Sequence, residues 1–416
     1  MQSVGIYGLG YVGKELALRS LETGFNVTGI DPSESVISNI TNNKEFSEQP
    51  GTMSVSANSK GTDIFTSDII VVTVPTPLSS SYDVDLSIIK TVCQDISDNI
   101  NIKNSPLPII IESTIPPGAL VNVLKPIFTD SGQTLGKSFY LVHAPERIDP
   151  GNKQWPIESI PRVVGGITKE GTKIAGEFYR QILNAEVHEV ESPSVASAAK
   201  IIENSYRDIN IAFVNEIALI LDELGIDVKN ALDAAATKPF GFERFSPGAG
   251  VGGHCIPVDP YFLIQQVNNS SNRSQFIKTA RRINDSMPEY VVKKTIDNLI
   301  KSGLLPQDTT AILLGKAFKP GVCDTRNSPF YTIQSGLKEY DVQLETYDPY
   351  LPGESTVESP YCEVDVAVLI TLHEEFRALN FNRLADNGVK LFVDGRNEFS
   401  PEKVRNSDIQ YVGVGR

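Results

Sequence analysis

Apolar and polar positions alternate along the chain in a repeating order. The opening "MQSVGI" is a short apolar run; it breaks at "YGLGYVG" and resumes as the amphipathic "KELALRSLETGF", closed by Gly24. This order predicts a strand, a glycine turn and a helix. The apolar, β-branched runs "NVTGI", "DIIVVTV", "LPIIIEST", "FYLVHAP" and "RVVGGI" follow, with helix-like segments between most of them. Strands alternating with helices predict a parallel sheet covered on both faces. From Ser192 the pattern changes. "SPSVASAAKIIENSYRDINIAFVNEIALILDELGID" meets no glycine or proline beyond its opening until Gly225. A helix of about thirty residues spans roughly 45 Å, longer than one small domain needs, and predicts a spine between two domains with a face for a dimer contact. A second helical region, "SQFIKTARRINDSMPEYVVKKTIDNLIKSG", precedes five more short apolar runs, "TTAILLG", "VQLETYD", "VDVAVLIT", "VKLFVDG" and "IQYVGV". These predict a second α/β domain. The expected division is 1–191, 192–299 and 300–416.

With 416 residues the chain is long enough for several buried cores. No stretch approaches the roughly 20 apolar residues of a membrane span, and no basic segment precedes an apolar core at the N-terminus. A cytoplasmic protein without a membrane partner is expected. A net charge of −14 argues against a broad nucleic-acid surface while leaving room for one small basic pocket. The cysteines Cys93, Cys255, Cys323 and Cys362 are far apart and form no CxxC pair, so free thiols are expected and no metal site is predicted.

Gly8, Gly10 and Gly13 form GxGxxG between a predicted strand and helix, and Asp31 ends the next strand. The first glycine permits the tight turn, the second the approach of a pyrophosphate, and the third close helix packing; the acid takes the ribose hydroxyls and favours NAD over NADP. Gly8, Gly10, Tyr11, Val12, Gly13 and Asp31 are therefore assigned to the cofactor. "VPTP" (74–77) and "ESTIPPG" (112–118) end buried-type strands, which would bring Thr76, Ser113 and Thr114 to the same carboxyl edge; each is also readable as a Pro-rich turn. "HAPERIDPGN" (143–152) presents Glu146 and Arg147, for which an exposed salt-bridging pair is the plain alternative. Lys200, Asn204 and Asp208 share one helix face, whose plain alternative is a solvated stripe. In "SPGAGVGGHCIPVDPYFL" (246–263), adjacent Cys255 and His254 are poorly placed to chelate one ion. The surrounding glycines would instead let backbone amides close on an anion or a reacting carbonyl, with Asp259 nearby.

Taken together, "GLGYVG", "VPTPLSSSYDVDLS", "STIPPG", "HAPERIDPGN", "AAKIIENSYRDINIAFVNE", "GAGVGGHCIPVDPYFL" and "GKAFKPGVCDTRNSP" resemble the UDP-glucose/UDP-N-acetylhexosamine 6-dehydrogenases. The matches run in order through nearly the whole chain, with "VDGRN" near its end. The resemblance implies two Rossmann-like domains joined by a central helical region, as dimers or higher oligomers. It also implies oxidation of the C6 alcohol of a UDP-sugar to a carboxylate with two NAD⁺ reduced. By the same carry-over Cys255 is the nucleophile, Lys200 and Asn204 stabilise an oxyanion, Asp259 handles water and protons, and Glu146 with Thr114 assists thioester hydrolysis. Arg147, Lys319, Arg396 and Gly252 become candidate substrate contacts, Arg244 and Phe245 a diphosphate clamp, and Arg326 a neighbour of the cofactor.

"GVGGHC" followed by "VD" departs from the G-F-G-G-S-C and lysine-aspartate pattern of the UDP-glucose enzymes and matches the N-acetylhexosamine branch, with His254 as its marker. "PERIDPGN" and "IPRVVGG" favour UDP-N-acetylglucosamine; UDP-N-acetylmannosamine is the alternative, and UDP-glucose a weaker one. The stretch after Asp31, "PSESVISNITNNKEFSEQPG", strays from the family pattern. Two further readings stay open: a two-electron dehydrogenase of the 6-phosphogluconate or hydroxyacid type, releasing one NADH per product, and a non-catalytic nucleotide sensor.

Overall fold

Two strands with unbroken apolar runs show how the first sheet is built. Ile69 and Val71 face a cluster with Val4, Ile6, Leu16 and Leu21, whereas Ile70, Val72, Ile109 and Ile111 face a second cluster with Ile89, Cys93 and Ile96. Both faces are covered, so the usual apolar–polar alternation of a strand disappears. In the computed structural model, which describes residues 2–100, 105–149, 152, 154–267 and 272–416, the chain divides into two compact units. One comprises Met1–Glu203 with Tyr261–Ser270, the other Asn204–Pro260 with Ser271–Arg416.

The first unit holds β1 (Ser3–Tyr7), β2 (Asn26–Ile30), β3 (Met53–Ser56), β4 (Ile69–Val72), β5 (Leu107–Ile111), β6 (Phe139–His143), β7 (Arg162–Gly166) and β8 (Val187–Glu189) in the order β3-β2-β1-β4-β5-β6-β7-β8. Three features depart from expectation. β3 lies in the stretch that strays from the family pattern and is only partly buried, which hides its apolar signal. β8 is three residues long. The third departure is that β7 runs antiparallel to β6. The described chain between β6 and β7 contains no α-helix, and without a crossover helix the strand returns antiparallel.

The second unit holds β9 (Thr310–Leu314), β10 (Gln343–Tyr347), β11 (Val366–Leu369), β12 (Leu391–Asp394) and β13 (Gln410–Gly413), all parallel, in the order β10-β9-β11-β12-β13. Its strands again divide their residues between two faces: Ala311, Leu313, Val366 and Val368 join one cluster, and Ile312, Leu314, Ala367 and Leu369 the other. The α/β class with two largely parallel sheets is as expected. The spine helix Pro193–Glu223 has 31 residues. Its Val214 and Ala218 pack in one cluster with Met287 and Val291 of the helix Gln275–Lys301. Among the described residues no helix is long and apolar enough to cross a membrane.

Candidate active site

The order of the first sheet reverses between β1 and β4, the place where α/β proteins collect ligands at the carboxyl ends of strands. The fingerprint glycines there have three different reasons to be glycine. Gly8 sits at φ +88°; a Cβ on Gly13 would stand 1.9 Å from the Gly8 carbonyl oxygen; a Cβ on Gly10 would meet nothing within 4 Å. The first two are needed by the fold. The third leaves space. Helix Tyr11–Glu22 begins behind Gly10 with no side-chain cap, and a helix N-terminus is suited to an anion. Asp31 accepts the Leu9 amide at 2.8 Å and the Ser33 amide at 2.9 Å, one on each carboxylate oxygen, which fixes the carboxylate and leaves lone pairs for ribose hydroxyls. Across the reversal the Thr73 hydroxyl donates to the Gly8 carbonyl (2.6 Å), Thr76 to the Thr114 carbonyl (2.7 Å) and Ser113 to the Val74 carbonyl (2.7 Å). The two Pro-rich turns are thus tied together at the carboxyl edge, as structured loops carrying the residues the sequence singled out. These features fit NAD.

The carboxyl ends of β5 and β6 carry a second constellation. Lys200 is 6% exposed and its ammonium donates to the Glu146 carbonyl. Glu146 is 9% exposed, and Arg147 pairs not with it but with Glu203, at 2.6 Å. The exposed Glu146–Arg147 pair is therefore ruled out. So is the solvated stripe: Lys200, Asn204 and Asp208 are all buried. Around Glu146 lie side chains that sequence reasoning missed. Tyr179 donates to Glu112, and the Arg162 guanidinium stands 3.7 Å from Glu112, 4.0 Å from Glu146 and over the Tyr179 ring. Burial pushes the Glu112 carboxyl above its ordinary pKa, against Arg162 and Tyr179. His143 is fully buried, and its Nδ1–H donates to the Ile111 carbonyl at 2.7 Å; burial pulls its pKa down to about 4. A neutral ring is the result. The signal for Glu112 and Arg162 was a charge inside an apolar strand run, "IIIEST" and "PRVVGGI". Positions 150 and 151 of the "HAPERIDPGN" motif lie outside the described residues.

In the second unit the cysteine loop is neither helix nor strand until Asp259 opens the short helix Asp259–Ile264. The Cys255 carbonyl accepts the Asp259 amide at 2.8 Å and the Val258 amide at 3.1 Å, so the turn that presents the cysteine also starts the helix. Asp259 is 2% exposed and accepts from the Asn204 amide at 2.5 Å. That contact joins two of the predicted site residues, 55 positions apart. The loop is held on both sides. Asn215 accepts the Gly248 amide (2.9 Å) and donates to Asn284 (2.8 Å), and Asn284 donates to Asp208, which is ion-paired to buried Arg281. On the other side the Gly253 amide donates to the Arg326 carbonyl (2.9 Å) and Asn327 to the Gly253 carbonyl (2.9 Å). A Cβ on Gly253 would fall 2.8 Å from the Phe318 ring, and one on Gly248 2.5 Å from the Arg396 guanidinium. Gly252 is equally closed in, by Phe318 and the Asn327 carbonyl. The glycines therefore serve close packing of the loop, and they bring Arg396 against it. His254 stands edge-on to Phe318 at 6.4 Å. Arg326 chelates Asp324, Arg244 pairs with Asp233 at 2.7 Å on the surface, Phe245 packs against Tyr206, and Lys319 is half-buried. Among the described cysteines no disulfide is formed; Cys93 is buried and its thiol is pushed up to about 12 by burial, whereas Cys255 is partly exposed.

Residues 2–183, 194–286 and 312–401 match, in turn, the NAD binding, central and UDP binding domains of the UDP-glucose/GDP-mannose dehydrogenase family. A UDP-N-acetyl-D-mannosamine dehydrogenase of Pyrococcus horikoshii is 31% identical over 99% of both chains. The chain belongs to this family. A UDP-N-acetyl-D-glucosamine 6-dehydrogenase of Pseudomonas aeruginosa is 32% identical over 92% of this chain and 94% of that one. The solved structure of the P. horikoshii enzyme covers 100% of this chain and 99% of its own with a TM-score of 0.90 at 30% identity. NAD is the family's cofactor, and residues 2–183 match its NAD binding domain.

Proposed function

We propose that the chain oxidises the C6 hydroxyl of a UDP-N-acetylhexosamine to the carboxylate through a covalent adduct on Cys255. The observation that carries this reading is the buried stripe on the spine helix: Lys200 bonded to the Glu146 loop, and one turn on, Asn204 bonded to Asp259. Burying a lysine and a carboxylate is costly without a compensating role, and an ammonium beside an amide is what a developing oxyanion requires. NAD supplies the hydride acceptor, once for each oxidation. The aldehyde from the first oxidation has no hydride that can leave from its carbonyl form. The Cys255 thiolate adds to it, a proton closes the hydroxyl, and the resulting thiohemiacetal carbon can lose the second hydride to give a thioester. Water then attacks the thioester, releasing the carboxylate and restoring the thiol, with Asp259, Glu146 and Thr114 handling water and protons. Arg396, Lys319, Arg147, Gly252 and His254 are proposed for substrate, Arg244 and Phe245 for the diphosphate, and Arg326 for the cofactor side. The segments 1–191, 192–299 and 300–416 are assigned to cofactor, catalytic loop and UDP-sugar.

"PERIDPGN" and "IPRVVGG" favour UDP-N-acetylglucosamine, the substrate in the name of one relative; a relative named for the mannosamine epimer supports the alternative. A single assay separates them: purified protein with NAD⁺ and UDP-glucose, UDP-N-acetylglucosamine or UDP-N-acetylmannosamine, scored for NADH. Two NADH per uronate are expected, and undiminished uronate formation by Cys255→Ser would end the thioester route. Four cysteines that form no disulfide suit the reducing cytoplasm.

The second unit also exposes Tyr206, Phe213 and Ile220 of the spine helix at 49%, 51% and 47%. They repeat every seven residues beside a groove of about 550 Å³ that Phe242 and Phe245 also line. A heptad-spaced face suits an identical helix, so a homodimer is proposed. Phe213→Glu should halve the mass measured by light scattering, and an unchanged mass would remove this face from the interface.

A further inference from the structure

The reversal of β7 has a chemical consequence. In the ladder Val142 faces Gly166 and His143 faces Gly165, so the beginning of β7 reaches past the carboxyl end of β6. Its first residue is Arg162. A parallel β7 would put that first residue at the opposite, amino edge of the sheet, away from the ligand side. The antiparallel strand thus delivers a guanidinium, 3% exposed, into the space between the Glu112 and Glu146 carboxylates.

We propose that Arg162 is a positioning residue for the hydrolytic half of the reaction, holding the Glu146 carboxylate and, through its loop, the Lys200 ammonium. The proposal rests on the reading of Glu146 as a group that assists thioester hydrolysis. Its surroundings are built for the purpose. Arg162 covers the Tyr179 ring at 5.1 Å, and Tyr179 fixes the other carboxylate, Glu112, by donating to it. The residue before it, Pro161, has its carbonyl taken by the Arg147 guanidinium at 2.9 Å, and Arg147 is tethered to Glu203 of the spine helix. The Arg162 amide donates to the Glu186 carbonyl at 2.9 Å. The backbone is therefore pinned on both sides of the side chain.

The charged and titratable groups around Glu146 come from several packed elements: Glu112 from the end of β5, Arg162 from β7, Tyr179 from the helix Lys169–Ile182, and Lys200 from the spine helix. Lys200 is bonded to the Glu146 carbonyl. Arg162 is the cation that stands between the two carboxylates. Burial already raises the Glu112 carboxyl, and without Arg162 its ionised form is harder to sustain. The Glu146 carboxylate would lose the cation that orients it and be misdirected for activating water.

The test uses the full-length enzyme with its accepted UDP-sugar. Arg162→Met should lower kcat by about 30- to 100-fold with KM for UDP-sugar and NAD⁺ within about threefold of the parent, as a loss of one charge-assisted contact implies. Enzyme quenched during turnover should carry the uronyl thioester on Cys255 by intact mass. Arg162→Lys, which returns the charge without the fork, should recover part of kcat. If Arg162→Met does not fold, Arg162→Lys decides: kcat should stay below the parent's with KM unchanged and acyl-enzyme accumulated. Parent-like kcat with no acyl-enzyme in the variant that folds would overturn the proposal. A parent that works without Cys255, or yields one NADH per product, would instead overturn the reading on which it rests.

Discussion

The two sheets begin alike and put the same acid to opposite uses. In each, a strand runs into a glycine with positive φ, Gly8 at +88° and Gly315 at +87°, packed against the end of the neighbouring strand. Each second strand is followed by an aspartate, Asp31 after β2 and Asp348 after β10, that accepts amides from the glycine turn. Past this point they diverge. Asp31 takes two amides and is 9% exposed beside the open space at Gly10. Asp348 takes the amides of Lys316, Ala317 and Tyr350 and the Nε2–H of fully buried His373, and is 1% exposed. Where the first turn has Gly10, the second has buried Ala317, and no helix starts until Pro329. The first turn leaves its acceptor with two amides and an open space beside it. The second satisfies its acceptor internally and frees the loop from 316 to 328 to brace the cysteine loop through Arg326 and Asn327. A shared topology therefore does not carry a shared site; the hydrogen-bond count on one carboxylate separates them.

The sharpest way to break this comparison is a methyl group at Gly13. A Cβ there would stand 1.9 Å from a backbone oxygen, so Gly13→Ala should cost about 3 kcal/mol of stability, a typical value for forced overpacking. NAD binding should vanish with it, as read by fluorescence titration and urea unfolding. Next comes the crossed pair. Asp31→Asn should weaken NAD binding by about 10- to 100-fold, the worth of a charge-assisted bond, while leaving the urea midpoint nearly in place. Asp348→Asn should do the reverse, losing about 2–3 kcal/mol from amides left without an acceptor and sparing NAD affinity. If Asp348→Asn weakens NAD as much as Asp31→Asn does, the two carboxylates are not the separate devices described.

The comparison also shows what could be read in advance. The conformation of the turn at Gly8, Gly10 and Gly13 could be read because its spacing is fixed at short range, and Asp31 because it ends the next strand. The loop from Cys255 to Asp259 was singled out for the same short-range reason. Glu112, Arg162 and Tyr179 were not: they come from a strand end, a strand start and a helix, and only the reversal of β7 gathers them. The same holds for Asn215, Asn284 and Arg281, spread over two helices. Asp208 shows the limit most simply. Its spacing from Asn204 was evident in the sequence, but whether that face was wet or buried depended on Arg281, 73 residues away.

The buried histidines extend the comparison to pH. His373 has a carboxylate partner at 3.0 Å, whereas His143 in the first sheet has a backbone carbonyl and a pKa pulled down to about 4 by burial. In the unfolded chain an imidazole titrates near 6.5, so below that value the unfolded state binds a proton that the folded state refuses. The contribution is fully present above pH 6.5 and is lost as pH falls toward 4, a loss of about 3 kcal/mol for one group. For Asp348, burial alone would raise the pKa, but His373 and the backbone amides hold it below the ordinary value. Its contribution is therefore present above the usual aspartate value near 3.9 and is lost only as pH falls below that. As pH falls, the contribution of His143 should thus be lost before that of Asp348. His143→Gln should flatten the pH dependence of the urea midpoint between 6.5 and 4, and a slope unchanged from the parent would place the acid sensitivity elsewhere.

The smallest effect is the most discriminating. Gly10 has ordinary φ (−67°) and nothing within 4 Å of a Cβ, so Gly10→Ala meets no steric barrier and removes flexibility from the unfolded chain. Stability should stay level or rise by about 0.5 kcal/mol. NAD affinity should nevertheless fall, because the space the methyl group enters is the space a pyrophosphate needs. A position where stability rises and binding falls cannot be conserving the fold. If Gly10→Ala binds NAD as tightly as the parent, the open space beside Asp31 is not the pyrophosphate site, and the contrast with the closed turn at Ala317 loses its meaning.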